Sequence, residues 1–306
     1  MVSVFFVISG FLSAQGLKAQ SVPIKQFGTF VCLRFLRLTP IYYLAIGMAV
    51  GIAYSCRPLL SPDFVPPAPG FLSSFAHLFF LQDVLGLEAL SAGLWYVCID
   101  FQLFTLFLLI RLMTSLANHP HEEITGILAW AALGWAALFY FNTDKKWDVW
   151  GIYFAGVYAL GALSFEATTS NLKKNIYLLF ILGAVLSWWL EPRPRLFIGI
   201  CTSMALFVIH QCFIQTNPFT HWMRQLGDSS YALFLSHFSL LMLINACFVA
   251  MGGSHANIMI WFAFFLLIGN LWGWLLWRYI DMPTVLRIQA FKRGIFLRHA
   301  TKKPAH

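Results

Sequence analysis

Charge is what this chain has least of. Only 10% of its 306 residues are Asp, Glu, Lys or Arg, against about 25% in soluble globular domains. With 59% of residues hydrophobic and a mean hydropathy of +0.73, a chain of this length has too little polar surface to be wetted on all sides. Redox and metal signatures are also missing. The six cysteines (Cys32, Cys56, Cys98, Cys201, Cys212 and Cys247) form no CxxC pair, and all but Cys56 lie inside apolar runs, which suits small core side chains rather than disulfides or metal ligands. The sequence shows no internal repeat and no second polar domain, and its opening run MVSVFFVISGFL is expected to be a span rather than a cleaved secretory leader. Its net charge of +8 is scattered through the loops between apolar runs, so nucleic acid is not an expected partner.

Long apolar runs are what it has instead, together with 31 Phe and 12 Trp, residues that anchor helices at membrane interfaces. A bilayer-crossing helix needs about 20 mostly apolar residues. On that criterion the expected fold is an all-α, polytopic transmembrane helix bundle of about nine spans, near 2–17, 38–55, 94–112, 124–141, 149–167, 175–190, 196–214, 229–251 and 258–279. The shorter run Phe71–Leu81 reads as a re-entrant or interfacial piece, and the proline-rich stretch 57–70 as a stiff outer loop. Taking the first span as running inward leaves only Arg57, Lys145, Lys146, Arg193 and Arg195 outside and the remaining fifteen Lys and Arg inside, as the positive-inside rule requires. The expected location is a cell membrane, bacterial inner membrane, with a cytoplasmic C-terminus. A transmembrane domain over 1–280 is followed by a basic tail over 281–306. In that tail Ile288, Phe291 and Ile295 recur at helical spacing among Lys292, Arg293 and Arg298, giving either a basic amphipathic helix on the membrane surface or a solvated tail.

Polar residues inside such spans are costly, so they face a cavity or a partner. Arg34 and Arg37 share one helical face in RFLRLTPIYY and would suit a phosphate-bearing ligand, or simply anchor the helix. His237 lies roughly 12 Å deep in SSYALFLSHF, and Ser9 at similar depth in FFVISGFL. Asp100 and Gln102, in LWYVCIDFQLF, lie about 9–12 Å from the opposite face. A bland reading stands beside each: a hydrogen-bonded structural His, a small packing residue at Ser9, an Asp paired with an Arg or His. Trp95 and Tyr96 fit an interfacial belt. His119, Pro120, His121, Glu122 and Glu123 match no zinc spacing and read as a solvated loop, and His210 as structural, so no metal site is expected.

In these segments the chain resembles the integral-membrane acyltransferases of the acyltransferase 3 type, O-acetyltransferases of cell-surface glycans. FFVISGFL, RFLRLTPIYY, LWYVCIDFQLF, GDSSYALFLSHF and RYIDMP follow the family's order from end to end. The resemblance implies about ten helices and transfer of an acyl group, usually acetyl from acetyl-CoA as co-substrate, to a carbohydrate or similar hydroxyl acceptor, with no bound cofactor. Arg34 and Arg37 then match the family's donor-side arginine pair. Asp100 and Asp281 stand where many members have Glu. The family's first helix, which carries a basic residue and an intramembrane His to which the resemblance assigns the general base, has no counterpart here, so the resemblance implies a start truncated by one helix. Ser9, Asp100 and His237 are the expected catalytic candidates. Trp95, Tyr96, Gln102 and Tyr231 are the structural or substrate-lining ones, and the lipid bilayer, acyl-CoA and a glycan the partners. A transporter using the same polar groups, or an inactive fragment of the acyltransferase, are the rival readings.

Overall fold

The structure is a computed structural model that describes residues 2–17, 23–117, 121–212, 218–253 and 258–300, with the side chains of 212, 218–226 and 292–300 outside the description. His119 and Pro120, the side chains of Lys292, Arg293 and Arg298, and the last six residues of the tail therefore lie outside the described residues. The chain is all helical, with no strand among the described residues. Among the described residues eleven α-helices follow in order: α1 Val2–Leu17, α2 Ile24–Cys56, α3 Phe71–Leu78, α4 Leu94–Leu116, α5 Glu122–Phe139, α6 Gly151–Glu166, α7 Asn171–Leu190, α8 Pro194–Cys212, α9 Pro218–Ala250, α10 Ile258–Leu276 and α11 Met282–Ala300. A π-helical turn, Trp277–Asp281, joins the last two.

Six helices are long and apolar enough to cross a membrane, and the chain is a membrane protein on that ground. Each expected run lies in a helix, but the count of nine spans does not stand. Helices α1 and α6 have 16 residues each, short of the roughly 20 a crossing needs. Helix α7 opens on Asn171, Lys173, Lys174 and Asn175, which dilutes its apolar character. Helices α2 and α9, at 33 residues each, outrun the expected segments by far, and Pro40 sits inside α2 without ending it. The Phe71–Leu81 run forms the short helix α3 and a turn, with Phe71, Leu72, Phe75 and Phe79 exposed.

The chain divides into two compact units, residues 1–31 with 98–215 and residues 32–97 with 216–306. In the first, α6 is the axis: fifteen of its sixteen residues are buried, and α1, α5, α7 and α8 pack around it. Its glycines explain the closeness. A Cβ on Gly10 of α1 would run into the Tyr158 carbonyl, and one on Gly161 of α6 into the Val7 carbonyl, so the two backbones touch as small-residue membrane helix pairs do. Tyr158 donates a hydrogen bond to Ser13 Oγ at 2.7 Å across the same seam.

In the second unit α10 packs on α9, with Gly273 against Leu233. Phe80, almost fully buried, holds a left-handed φ of 59°, which is uncommon for a bulky side chain. Its ring is wedged between Phe35 and Tyr42 of α2, so packing outweighs the local backbone cost of about 1–2 kcal/mol.

Candidate functional site

In the first unit, α1 presents Ser9 and α4 presents Asp100, both buried, and Ser9 Oγ donates a hydrogen bond to Asp100 Oδ1. Two sequence-predicted residues thus meet, and a hydroxyl is one partner of Asp100. A carboxylate so placed accepts the hydrogen bond of the hydroxyl it touches and fixes its direction. Gln102, two residues on and so on another face of α4, serves the scaffold: its Oε1 accepts the Gly151 amide at 2.8 Å, one of the amides at the start of α6 that lack an intrahelical partner.

The same unit holds a charge cluster that sequence reasoning did not assemble. Lys173 Nζ donates to Glu166 at 2.9 Å and to Glu123, and Arg111 lies 3.7 Å from Glu166. Arg111, Glu166 and Lys173 are buried. The cluster joins the C-terminal parts of α4 and α6 to the first turns of α5 and α7. Burial alone would lower the pKa of Lys173, but its hydrogen bonds to Glu123 and Glu166 outweigh that and raise it, holding the ammonium charged. Glu123 therefore belongs to a structural network, not to the solvated loop it was assigned.

In the second unit Arg37 is gripped by Asp281. Its two Nη atoms fork onto the two carboxylate oxygens, the Nη2–Oδ2 arm at 2.9 Å. The guanidinium also lies 5.7 Å from the Tyr231 ring centroid, while the Tyr231 hydroxyl donates to the Leu38 carbonyl at 3.1 Å. Asp281 is almost wholly buried in the π-helical turn. The fork fixes Arg37 in direction and leaves its remaining N–H groups as donors. Arg34, one turn earlier on α2, is half-buried.

His237 of α9 is also half-buried. Its Nδ1 is 2.6 Å from the Phe234 carbonyl one turn back, which makes Nδ1 the protonated nitrogen and leaves Nε2 as an acceptor. The ring stacks on Phe234 at 5.7 Å, and Phe234 meets Tyr96 edge-on at 5.2 Å. Tyr96 is buried and Trp95 half-buried. Further buried polar groups flank α3. His77 Nδ1 donates to the Ser73 carbonyl at 2.7 Å, and its Nε2 accepts the Leu90 amide at 3.2 Å. Gln82 donates to the Leu94 carbonyl at 3.3 Å and accepts from the Tyr42 hydroxyl at 3.4 Å.

No group of three or more metal-ligating side chains occurs among the described residues. The five cysteines with described side chains are free thiols. Sequence reasoning also passed over Asn245, in the apolar run LINACF of α9, although the rule that singled out Asp100 applies to it equally. Comparison with protein-family models, with curated proteins and with solved structures finds no match for this chain.

Proposed function

We propose that this membrane protein is an O-acyltransferase of the cell membrane. It moves an acyl group, acetyl in the simplest case, from acyl-CoA to a hydroxyl of a carbohydrate-like acceptor, as its resemblance to the acyltransferase 3 type suggests. The observation that carries the reading is His237: an imidazole within a membrane-crossing helix, its Nδ1 tied to the Phe234 carbonyl and its Nε2 without a partner among the described residues. That is the state a general base needs.

In this reading Nε2 takes the proton of the acceptor hydroxyl as its oxygen attacks the thioester carbonyl. The carbon–sulfur bond then breaks, and the departing CoA thiolate recovers the proton from the imidazolium, leaving an ester and free CoA. Arg34 and Arg37 bind the donor's phosphates, with Arg37 aimed by Asp281. Ser9 and Asp100, hydrogen-bonded to each other, are the other intramembrane polar groups the proposal uses. Trp95, Tyr96, Gln102 and Tyr231 hold the surrounding scaffold.

The test is transfer of label from acetyl-CoA in membranes containing the protein. His237→Gln should lower kcat by about 10²-fold or more with little change in donor KM, since general-base catalysis is worth roughly 10²–10⁴-fold. Arg34→Ala should chiefly raise donor KM. Wild-type rates in both variants would sink the proposal. Solute flux across liposomes without any consumption of acetyl-CoA would favour the transporter instead.

A further inference from the structure

The second unit contains two cavities that share part of their walls. One, of roughly 440 Å³, runs between α9 and α10 and is walled by Phe238, Leu241, Phe248, Trp261, Phe262 and Phe265. Among the described residues, Asp63 and Asn245 supply its polar lining. The other, of roughly 490 Å³, lies at the proline-rich stretch and is lined by Asp63, Pro66, Pro67, Pro69, Ser73 and Glu88 among others. Asp63, Phe64 and Phe238 line both, so an apolar groove adjoins a polar chamber. Volumes of this size are those of small-molecule sites.

The chemistry of the walls selects the occupant. Groove walls from two membrane helices match a hydrocarbon chain. Asn245 is half-buried in that wall, and its amide has no hydrogen-bond partner among the described residues. An amide left so in an apolar wall implies a polar atom of a ligand opposite it. The chamber is rich in acceptors: two carboxylates, plus four prolines that carry carbonyls and no N–H, one of which, Pro66, accepts from Arg57 at 3.4 Å. No Lys, Arg or His lines either cavity among the described residues. Acceptor-rich walls call for a ligand rich in donors, and two carboxylates lining the chamber itself disfavour phosphate there. We propose that the paired cavities bind a membrane amphiphile of glycolipid type. Its hydrocarbon chain lies between α9 and α10, and its uncharged polyhydroxyl head meets Asp63, Ser73 and Glu88. This concerns binding alone and holds independently of acyl transfer.

The test uses the whole chain in phosphatidylcholine nanodiscs with a photoreactive dodecyl glucoside. Label should enter peptides of α9 and α10. Unlabelled dodecyl glucoside should displace it, while dodecyl phosphate should need at least about tenfold more, because like charges brought together repel. Leu241→Trp, which fills the groove, and Asn245→Leu, which removes its amide, should each weaken labelling about tenfold or more. The pair Asp63→Asn and Glu88→Gln should erase the discrimination against phosphate. Unfolding temperatures equal to wild type exclude a folding defect in any variant. Equal displacement by dodecyl phosphate, stronger displacement by dodecyltrimethylammonium, or unchanged labelling in both groove variants would overturn the proposal.

Discussion

Glu166→Gln isolates the energetics of the buried charge cluster. The substitution keeps the size of the side chain and an oxygen for Lys173, but removes the negative charge that Lys173 and Arg111 share. Lys173 would then keep one carboxylate, that of Glu123, whose side chain is 33% exposed. Removing one partner of a buried ion pair costs about 3–5 kcal/mol. Partial access of water at Glu123 places this case at the low end, about 3 kcal/mol, or a little over a hundredfold in the folding equilibrium. Glu123→Gln, on the wetter arm, should cost only about 1 kcal/mol. Combining Glu166→Gln with Lys173→Met restores charge balance, so the double variant should be more stable than the sum of the singles by at least about 1 kcal/mol. Equilibrium unfolding in mixed micelles, followed by tryptophan fluorescence, compares the wild type with the double variant and with the three singles, Glu166→Gln, Glu123→Gln and Lys173→Met. Equal costs below about 0.5 kcal/mol for both glutamates would show that the cluster is solvated and that burial adds nothing to it.

Other residues give equally direct outcomes. Gly10→Ala and Gly161→Ala, whose Cβ atoms would enter a neighbouring carbonyl, should each destabilise by about 2 kcal/mol or more, whereas Gly47→Ala, with open space around it, should be neutral or gain up to about 1 kcal/mol; the same unfolding assay decides. His77 is held neutral: burial lowers its pKa below the usual 6.5, its hydrogen bond to Ser73 only partly opposing this. Its contribution is therefore complete above about pH 6.5 and is lost as pH falls toward the folded value, because the unfolded state takes the proton first, with a slope of at most about 1.4 kcal/mol per pH unit. His77→Gln should flatten that part of the stability–pH curve, and an unaltered slope would remove His77 as its source.

Much of the helix layout was legible because apolar runs are long and their breaks are marked: α1 begins and ends where the run 2–17 does. Span count was less legible, since 16 apolar residues read as a span only until their length is compared with a bilayer. The extension of α2 back to Ile24 also escaped, because its opening turns carry Lys25 and Gln26 and a run-based reading discards them. At the sites, Ser9 and Asp100 were visible as polar intruders, but their pairing was not, since they lie 91 residues apart. The grip of Asp281 on Arg37 spans 244 residues and has no local signature. Lys173 and Arg111 were counted as loop charges that orient the chain, and nothing in sequence says that Glu166 draws both inward.

The central claim is acyl transfer, and the most direct measurement is the fate of the acetyl label when acetyl-CoA is supplied to membranes carrying the wild-type chain or His237→Gln. The account predicts free CoA and an alkali-labile acetyl ester in the wild type, with both reduced about 10²-fold in the variant while the folded fraction is unchanged. Equal amounts of ester in the two, or none in either from folded protein, would contradict it.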